Sequence, residues 1–346
     1  MTFLQGIANG WWQWTAPMSV QLAFLVLIVA VMDRVLRPWI WPRLRFALWM
    51  LVVVKLLLPP TLSSPLSVAR LDTGVGSTNL GEGGTVTVTL FSIWLAGFLL
   101  CTVLIAVRYV RLRRTWLTGS RPLSRSTDAI LCRAVSRLRM RRTPDVRIQR
   151  RVRTPAVVGF LRPVIILPET LLESASPRQL EHVLLHELAH VARRDPMWSL
   201  ACLAVQLVYW FHPLVWFARR RIAFLREVCC DETVTRALDG ETIAYRRTLL
   251  EMARPLLGAP PLGQLGFIHR HSQLLARLRL LERSPTHRSW PRRLVTAALC
   301  GTLLLCCVPV AAAPTNTLAA LADLPGCLQM RYIVYGMLGE QASDAP

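Results

Sequence analysis

The chain is 346 residues long and 53% hydrophobic, with a mean hydropathy of +0.39, which is too apolar for a purely soluble globule and points to a membrane protein. Its 41 basic against 20 acidic residues leave a formal charge of +21, nearly all from arginine, because Lys55 is the sole lysine. That excess suits an anionic membrane face or an acidic partner, and since no zinc-finger, RNA-recognition or basic-zipper pattern accompanies it, direct nucleic-acid binding is not expected.

Taken in chain order, four stretches have the roughly 20 apolar residues that cross hydrocarbon: 13–32, 39–60, 86–108 and 293–313. Residues 1–17 carry no charge, and Trp11, Trp12 and Trp14 sit where an interfacial belt would lie. Arg34, Arg37, Arg43 and Arg45 follow the first span, so the N-terminus is expected outside. The Gly, Ser and Thr-rich connection 61–85, with Arg70 its only positive charge, is expected outside as well. The arginine-rich stretch after the third span belongs in the cytoplasm, and the tail 314–346 outside. Lys55, within the second span, is expected to snorkel or to pair inside the bundle.

A further apolar run, 197–217, is flanked on both sides by arginines (Arg193 and Arg194, then Arg219 to Arg221). Both flanks want the same side, so the run reads as a re-entrant or interfacial helix packed against the spans. Of the nine cysteines, Cys101, Cys300, Cys306 and Cys307 fall in apolar runs and Cys229 and Cys230 are adjacent, so they read as reduced thiols, not as a disulfide framework.

The chemistry lies in "LLHELAHVARRD", residues 184–195. Ser176-Pro177-Arg178-Gln179 supplies an N-cap, a proline at the first helical position and a capping-box glutamine. With no breaker as far as Arg194, His186 and His190 lie one turn apart on one face and can share one Zn²⁺. Glu187 is rotated about 100° from His186 and flanks the ion, where a base takes a proton from metal-bound water. A catalytic zinc needs a third protein ligand. A second helix is expected to open at His212-Pro213 and to close at Asp239-Gly240; within it "REVCCDE" sets Glu227 and Asp231 at i and i+4. Glu227 is the candidate third ligand, and Asp231 the acceptor for the free N–H of a ligating histidine. Cys229 and Cys230 are expected to point away from that face as small buried residues, and His182 to pack or cap.

The blocks "TPAVVGFLRPVIILPETLL" (154–172), "LEHVLLHELAHVARRD" (180–195), "WFHPLVWFARRR" (210–221), "REVCCDETV" (226–234) and "YRRTLLEMA" (245–253) resemble the BlaR/MecR-type integral membrane metallopeptidases, the sensor-transducers and antirepressors of bacterial antibiotic response. The resemblance covers roughly residues 150–255. It implies a mainly α membrane protein with four transmembrane helices and a cytosolic gluzincin-like α+β zinc metallopeptidase domain between spans 3 and 4. The expected organisation is a three-helix membrane region over 1–110, the zinc domain over 111–290, the fourth span over 291–313 and a short external tail over 314–346.

The resemblance also implies His186, His190 and Glu227 as ligands, Glu187 as base and "VIIL" as the edge strand beside the cleft. It further implies location in a bacterial inner membrane, among membrane lipids, and a cytosolic protein substrate such as a winged-helix repressor or the chain itself. Sensor members carry an external penicillin-binding domain with a Ser-x-x-Lys motif; residues 314–346 hold none, so sensing of a β-lactam by acylation is not expected here. Two other readings stay open at this point: an HtpX-type quality-control protease, and a non-catalytic signalling or scaffold protein with a structural zinc.

The arginine distribution makes a direct forecast. Reporter fusions at residues 120 and 270 should register in the cytoplasm and those at 75 and 330 outside. Opposite answers from 120 and 270 would overturn the topology.

Overall fold

The computed structural model describes residues 2–35, 37, 41–57, 84–257, 274–281 and 301. It is mostly helical with one small sheet. The expected external connection, most of the fourth span and the tail lie outside the described residues.

Among the described residues two helices are long and apolar enough to cross a membrane: α1 (Thr2–Val35) over Phe3–Val35, and α3 (Gly84–Leu117) over Thr85–Leu117. The apolar stretch of α3 is not buried by the protein at all. Leu99, Leu100, Val103 and Leu104 all face outward, a surface that water disfavours and hydrocarbon accepts. Where 39–60 was expected to span, the described helix is α2 (Pro42–Leu57), 16 residues opened by a proline whose missing N–H costs nothing at that position. Lys55 is buried in it.

The sheet begins after α3 with β1 (Arg121–Pro122), followed by α4 (Arg125–Arg137), β2 (Asp145–Gln149), β3 (Ala156–Val158) and β4 (Val164–Pro168). Its order is β1-β2-β4-β3. β2 and β4 run parallel, with Val146 opposite Ile165, and β3 returns antiparallel to β4, with Val157 opposite Ile165. Gly159 makes the β3–β4 turn at φ +94°, and a Cβ there would stand 2.8 Å from the Arg162 carbonyl oxygen, so only glycine fits. "VIIL" is therefore not the edge strand. It is paired on both sides, and its continuous apolar run is what an interior strand requires; the edge beside it is β3.

Five helices follow the sheet: α5 (Glu169–Ser174), α6 (Pro177–Ala192), α7 (Asp195–Val208), α8 (Pro213–Ala237) and α9 (Thr242–Leu257). The apolar run 197–217 is thus two helices, not one. His212 sits before Pro213 in an extended conformation (φ −92°, ψ 114°), because a residue preceding proline is pushed out of the α region, and its ring caps α8 by accepting from Leu214 N–H at 3.3 Å. α8 folds back on α7, and Arg226 donates to Ser199 Oγ at 2.6 Å. The turn between them is clamped by α3. Trp94 donates to the Val208 carbonyl (2.9 Å) and Trp210 to that of Trp94 (3.3 Å), while Gly97 leaves room for the Trp210 ring.

Two hydrophobic cores result. One joins α1, α2, α7 and the first half of α8 through Met18, Leu22, Trp49, Tyr209 and Leu225. The other joins α4, the sheet, α6, α9 and the second half of α8 through Leu131, Ile165, Leu185, Leu188, Val234 and Tyr245. In the first, Asp33 at the end of α1 accepts from Arg45 of α2 (2.5 Å) and Arg221 of α8 (2.7 Å). Asp33 and Arg45 are both almost fully buried. Asp33→Ala would leave Arg45 a buried charge without its partner, an error that typically costs about 3–5 kcal/mol. The thermal unfolding midpoint of the detergent-solubilised variant should fall clearly, whereas Asp33→Leu combined with Arg45→Leu should lose much less; equal losses would mean the charges are not coupled.

Candidate metal centre

α6 begins as its residues dictate: Gln179 N–H donates to Ser176 Oγ (3.3 Å), Ser176 N–H donates to Gln179 Oε1 (2.7 Å), and Pro177 opens the first turn. The apolar face of α6, with Leu184, Leu185 and Leu188 fully buried, presses on the second core and crosses α8. His186 and His190 are thereby turned toward Glu227. Nε2 of His186 lies 3.4 Å and Nε2 of His190 3.8 Å from the Glu227 carboxylate, and one ligand atom from each of the three residues falls within 4.8 Å of the others.

Each imidazole is anchored by its other nitrogen. His190 Nδ1 donates to Asp195 Oδ2 at 2.8 Å. His186 Nδ1 lies 2.9 Å from the Tyr245 hydroxyl, which itself donates to Asp231 Oδ1 at 2.8 Å, and 3.4 Å from Asp231 directly. The Tyr245 oxygen, its own proton committed to Asp231, accepts from His186 Nδ1–H. With both Nδ1 atoms anchored in this way, the Nε2 atoms of both rings are the ones turned toward Glu227, where a bound metal would take the place of any proton they carry.

Charge reinforces this geometry. Burial acts against an ionised His186, but the hydrogen-bonding carboxylates of Asp231 and Glu227 outweigh it and lift the metal-free pKa to about 10. Burial likewise opposes ionisation of Asp231, yet Arg277 and His186 bring its carboxyl down to about 2. Glu227 is held well below the ordinary carboxylate range by His186, His190 and Arg277 despite its burial. The pocket is thus built to keep cationic character between its carboxylates.

The donor set is two imidazole nitrogens and one carboxylate oxygen, which is the protein complement of a catalytic zinc that leaves a fourth position for water. A second grouping, His190 with Asp195 and Cys230, fits less well. Cys230 Sγ lies 3.2 Å from His190 Nδ1 and donates to Asp195 at 3.3 Å, and burial with that nearby carboxylate pushes its thiol well above the ordinary range. A thiol that keeps its proton is a poor ligand.

Of the residues singled out in the sequence, His186, His190 and Glu227 come together, and Glu187 follows His186 on α6. Glu187 is buried, and no hydrogen bond or ion pair among the described residues holds its carboxylate. Asp231 is in the site but reaches His186 chiefly through Tyr245. Cys229 and Cys230 divide: Cys229 enters the first core, and Cys230, expected to point away, touches His190. His182 packs as expected, its Nδ1 2.8 Å from the Thr248 hydroxyl.

Asp195, Tyr245 and Arg277 are site residues that sequence reasoning missed. The aspartate closing "HVARRD" was the one available local signal. It reaches back to His190 because Arg194 takes a left-handed conformation (φ 57°, ψ 33°) between α6 and α7.

The model of the BlaR1 peptidase M56 family matches residues 76–281, more than half of the chain and every site residue named above. The chain belongs to the BlaR1 peptidase M56 family. Among characterised proteins it is similar to the regulatory protein BlaR1 of Bacillus licheniformis, 33% identical over 115 residues, and to the methicillin resistance mecR1 protein of Staphylococcus aureus, 23% identical over 176 residues. These matches cover 31% and 50% of this chain, but only 19% and 30% of the two relatives.

In this M56 chain the outer partners of the two histidines should matter nearly as much as the histidines. Asp195→Asn and Asp231→Asn should each weaken zinc binding about 10 to 100-fold, measured by chelator competition on the purified protein. Wild-type affinity in Asp195→Asn would remove that residue from the site.

Proposed function

We propose that the protein is a membrane-embedded zinc endopeptidase that cleaves a cytosolic transcriptional repressor, itself, or both, in a signalling response. The observation that carries this reading is the convergence of His186, His190 and Glu227, with Glu187 next to His186 on α6 and its buried carboxylate without a partner among the described residues. A zinc serving only to hold the fold would have no use for an uncommitted base at that position. Membership of the M56 family and two helices fit to cross a membrane support the same reading.

Zinc held by His186, His190 and Glu227 would acidify a water to a pKa of about 7 and polarise the scissile carbonyl. The remaining steps belong to the chain's own residues. Glu187 takes the proton of the attacking water as the water oxygen adds to the carbonyl carbon, then returns it to the amide nitrogen as the C–N bond breaks. Asp195, and Asp231 through Tyr245, keep the imidazoles turned toward the metal throughout. For the substrate, β3 pairs only with β4 in the described sheet and lies against α6, so an extended peptide laid on β3 runs beside the histidine helix. Such a segment must be unfolded locally, which suits the linker of a small winged-helix repressor or an exposed loop of the chain.

Glu187→Gln tests this. The variant should keep its zinc, its fold and its membrane insertion, while cleavage of a co-expressed repressor, or of the chain itself, falls about 100 to 10,000-fold. A zinc-loaded Glu187→Gln protein that still processes its substrate would make the His-Glu-x-x-His helix a structural clamp.

A further inference from the structure

Beyond α9 the next described segment, residues 274–281, is helical and lies outside every motif block of the metal site. It is docked on both cores at once: Ala276 and Leu280 pack against the first, Leu281 against the second, and Leu278 is buried. Between these contacts Arg277 enters the metal site. Its Nε and Nη2 donate to the two Asp231 oxygens, each at 2.7 Å, and its Nη1 stands 3.6 Å from Glu227 Oε2. One planar guanidinium thus spans two carboxylates one turn apart on α8, with its side chain 15% exposed and that of Asp231 2%. Lysine, a single point charge, has no equivalent of this fork.

We propose that Arg277 is a positioning residue of the metal centre, delivered by the docked segment 274–281, which holds the ligand Glu227 and the anchoring Asp231 in the arrangement a metal needs. The inference rests on the zinc reading above. Glu227 and Asp231 repel one another at i and i+4, and Asp231 also carries Tyr245 and, through it, His186. Without the fork both carboxylates are free to take other rotamers, and the two imidazoles lose their common target. The segment stands between the peptidase block and the apolar run 293–313, so any displacement of it withdraws the guanidinium from both carboxylates together.

The sign of the effect separates positioning from simple charge. A cation beside a ligand carboxylate repels a metal ion, so if Arg277 acted only through its charge, its removal would tighten zinc. If it holds the carboxylates, removal weakens zinc. In the detergent-purified full chain, Arg277→Gln should lower zinc affinity about 10 to 100-fold, as loss of an outer-shell partner does, and should alter the visible absorption of the Co²⁺-substituted protein, which reports coordination geometry.

Arg277→Lys should restore only part of the affinity, and Arg277→Gln with Asp231→Asn should lose less than the sum of the two single changes, because they act through one contact. Equal or tighter zinc binding in Arg277→Gln, or wild-type affinity in Arg277→Lys, overturns the proposal. Should the glutamine variant not assemble, the lysine variant alone decides, since it keeps the charge. A wild-type chain that binds neither Zn²⁺ nor Co²⁺ refutes the underlying zinc reading instead, and the two failures are told apart by that single control.

Discussion

The arrangement depends on one helix serving two cores. α8 packs Ile222, Phe224, Leu225, Val228 and Cys229 into the core shared with α1, α2 and α7, and Cys230, Val234 and Leu238 into the core shared with α6 and the sheet. A helix turns 100° per residue, so adjacent cysteines can face different cores, and small side chains are what let two packed layers close on α8 from both sides. Glu227 and Asp231 bracket that change of partner. Glu227, the candidate metal ligand, therefore sits on the seam, and its position is set by packing on both sides rather than by either alone.

Polar contacts then fix what packing leaves adjustable. Asp33 joins the ends of α1 and α2 to α8 through Arg45 and Arg221, which prevents α8 from sliding against the apolar helices. On the other side of the seam Asp195 and the Tyr245–Asp231 pair orient the two imidazoles, and Arg277 closes the set from outside the motif block. These groups are buried where an unpaired charge is costly, so each one constrains its neighbour's rotamer as strongly as it stabilises it. The exception is Glu187, next to His186 on α6, buried yet unpaired among the described residues.

What was legible in the sequence was what is local. The capping box at Ser176, the histidines one turn apart, the Glu227–Asp231 pair and the start of α8 at Pro213 all follow from spacing along a helix. What was not legible depends on contacts between distant segments. Tyr245 opens one of the blocks that carry the resemblance and Arg277 lies outside them all, but neither is tied to the site by spacing until α9 and the segment after it are folded onto α8. The resemblance puts "VIIL" at the sheet edge, whereas its unbroken apolar pattern fits the interior strand that it forms. Spacing along a helix likewise cannot show that α6 and α7 bring His190 and Asp195 up to Cys230.

The same geometry places the chemistry relative to the apolar helices. Arg221, bound to Asp33 at the charged end of α1, and Glu227 are six residues apart on one continuous helix, about 9 Å along its axis at 1.5 Å per residue. If α1 crosses the membrane, the candidate metal site lies within about one peptide-strand width or two of the headgroup level. A folded substrate cannot bring its interior that close to the surface, but an extended segment lying along β3 can. Under the endopeptidase reading proposed above, the distance between two α8 contacts favours linker-like or juxtamembrane cleavage sites over sites within a compact domain.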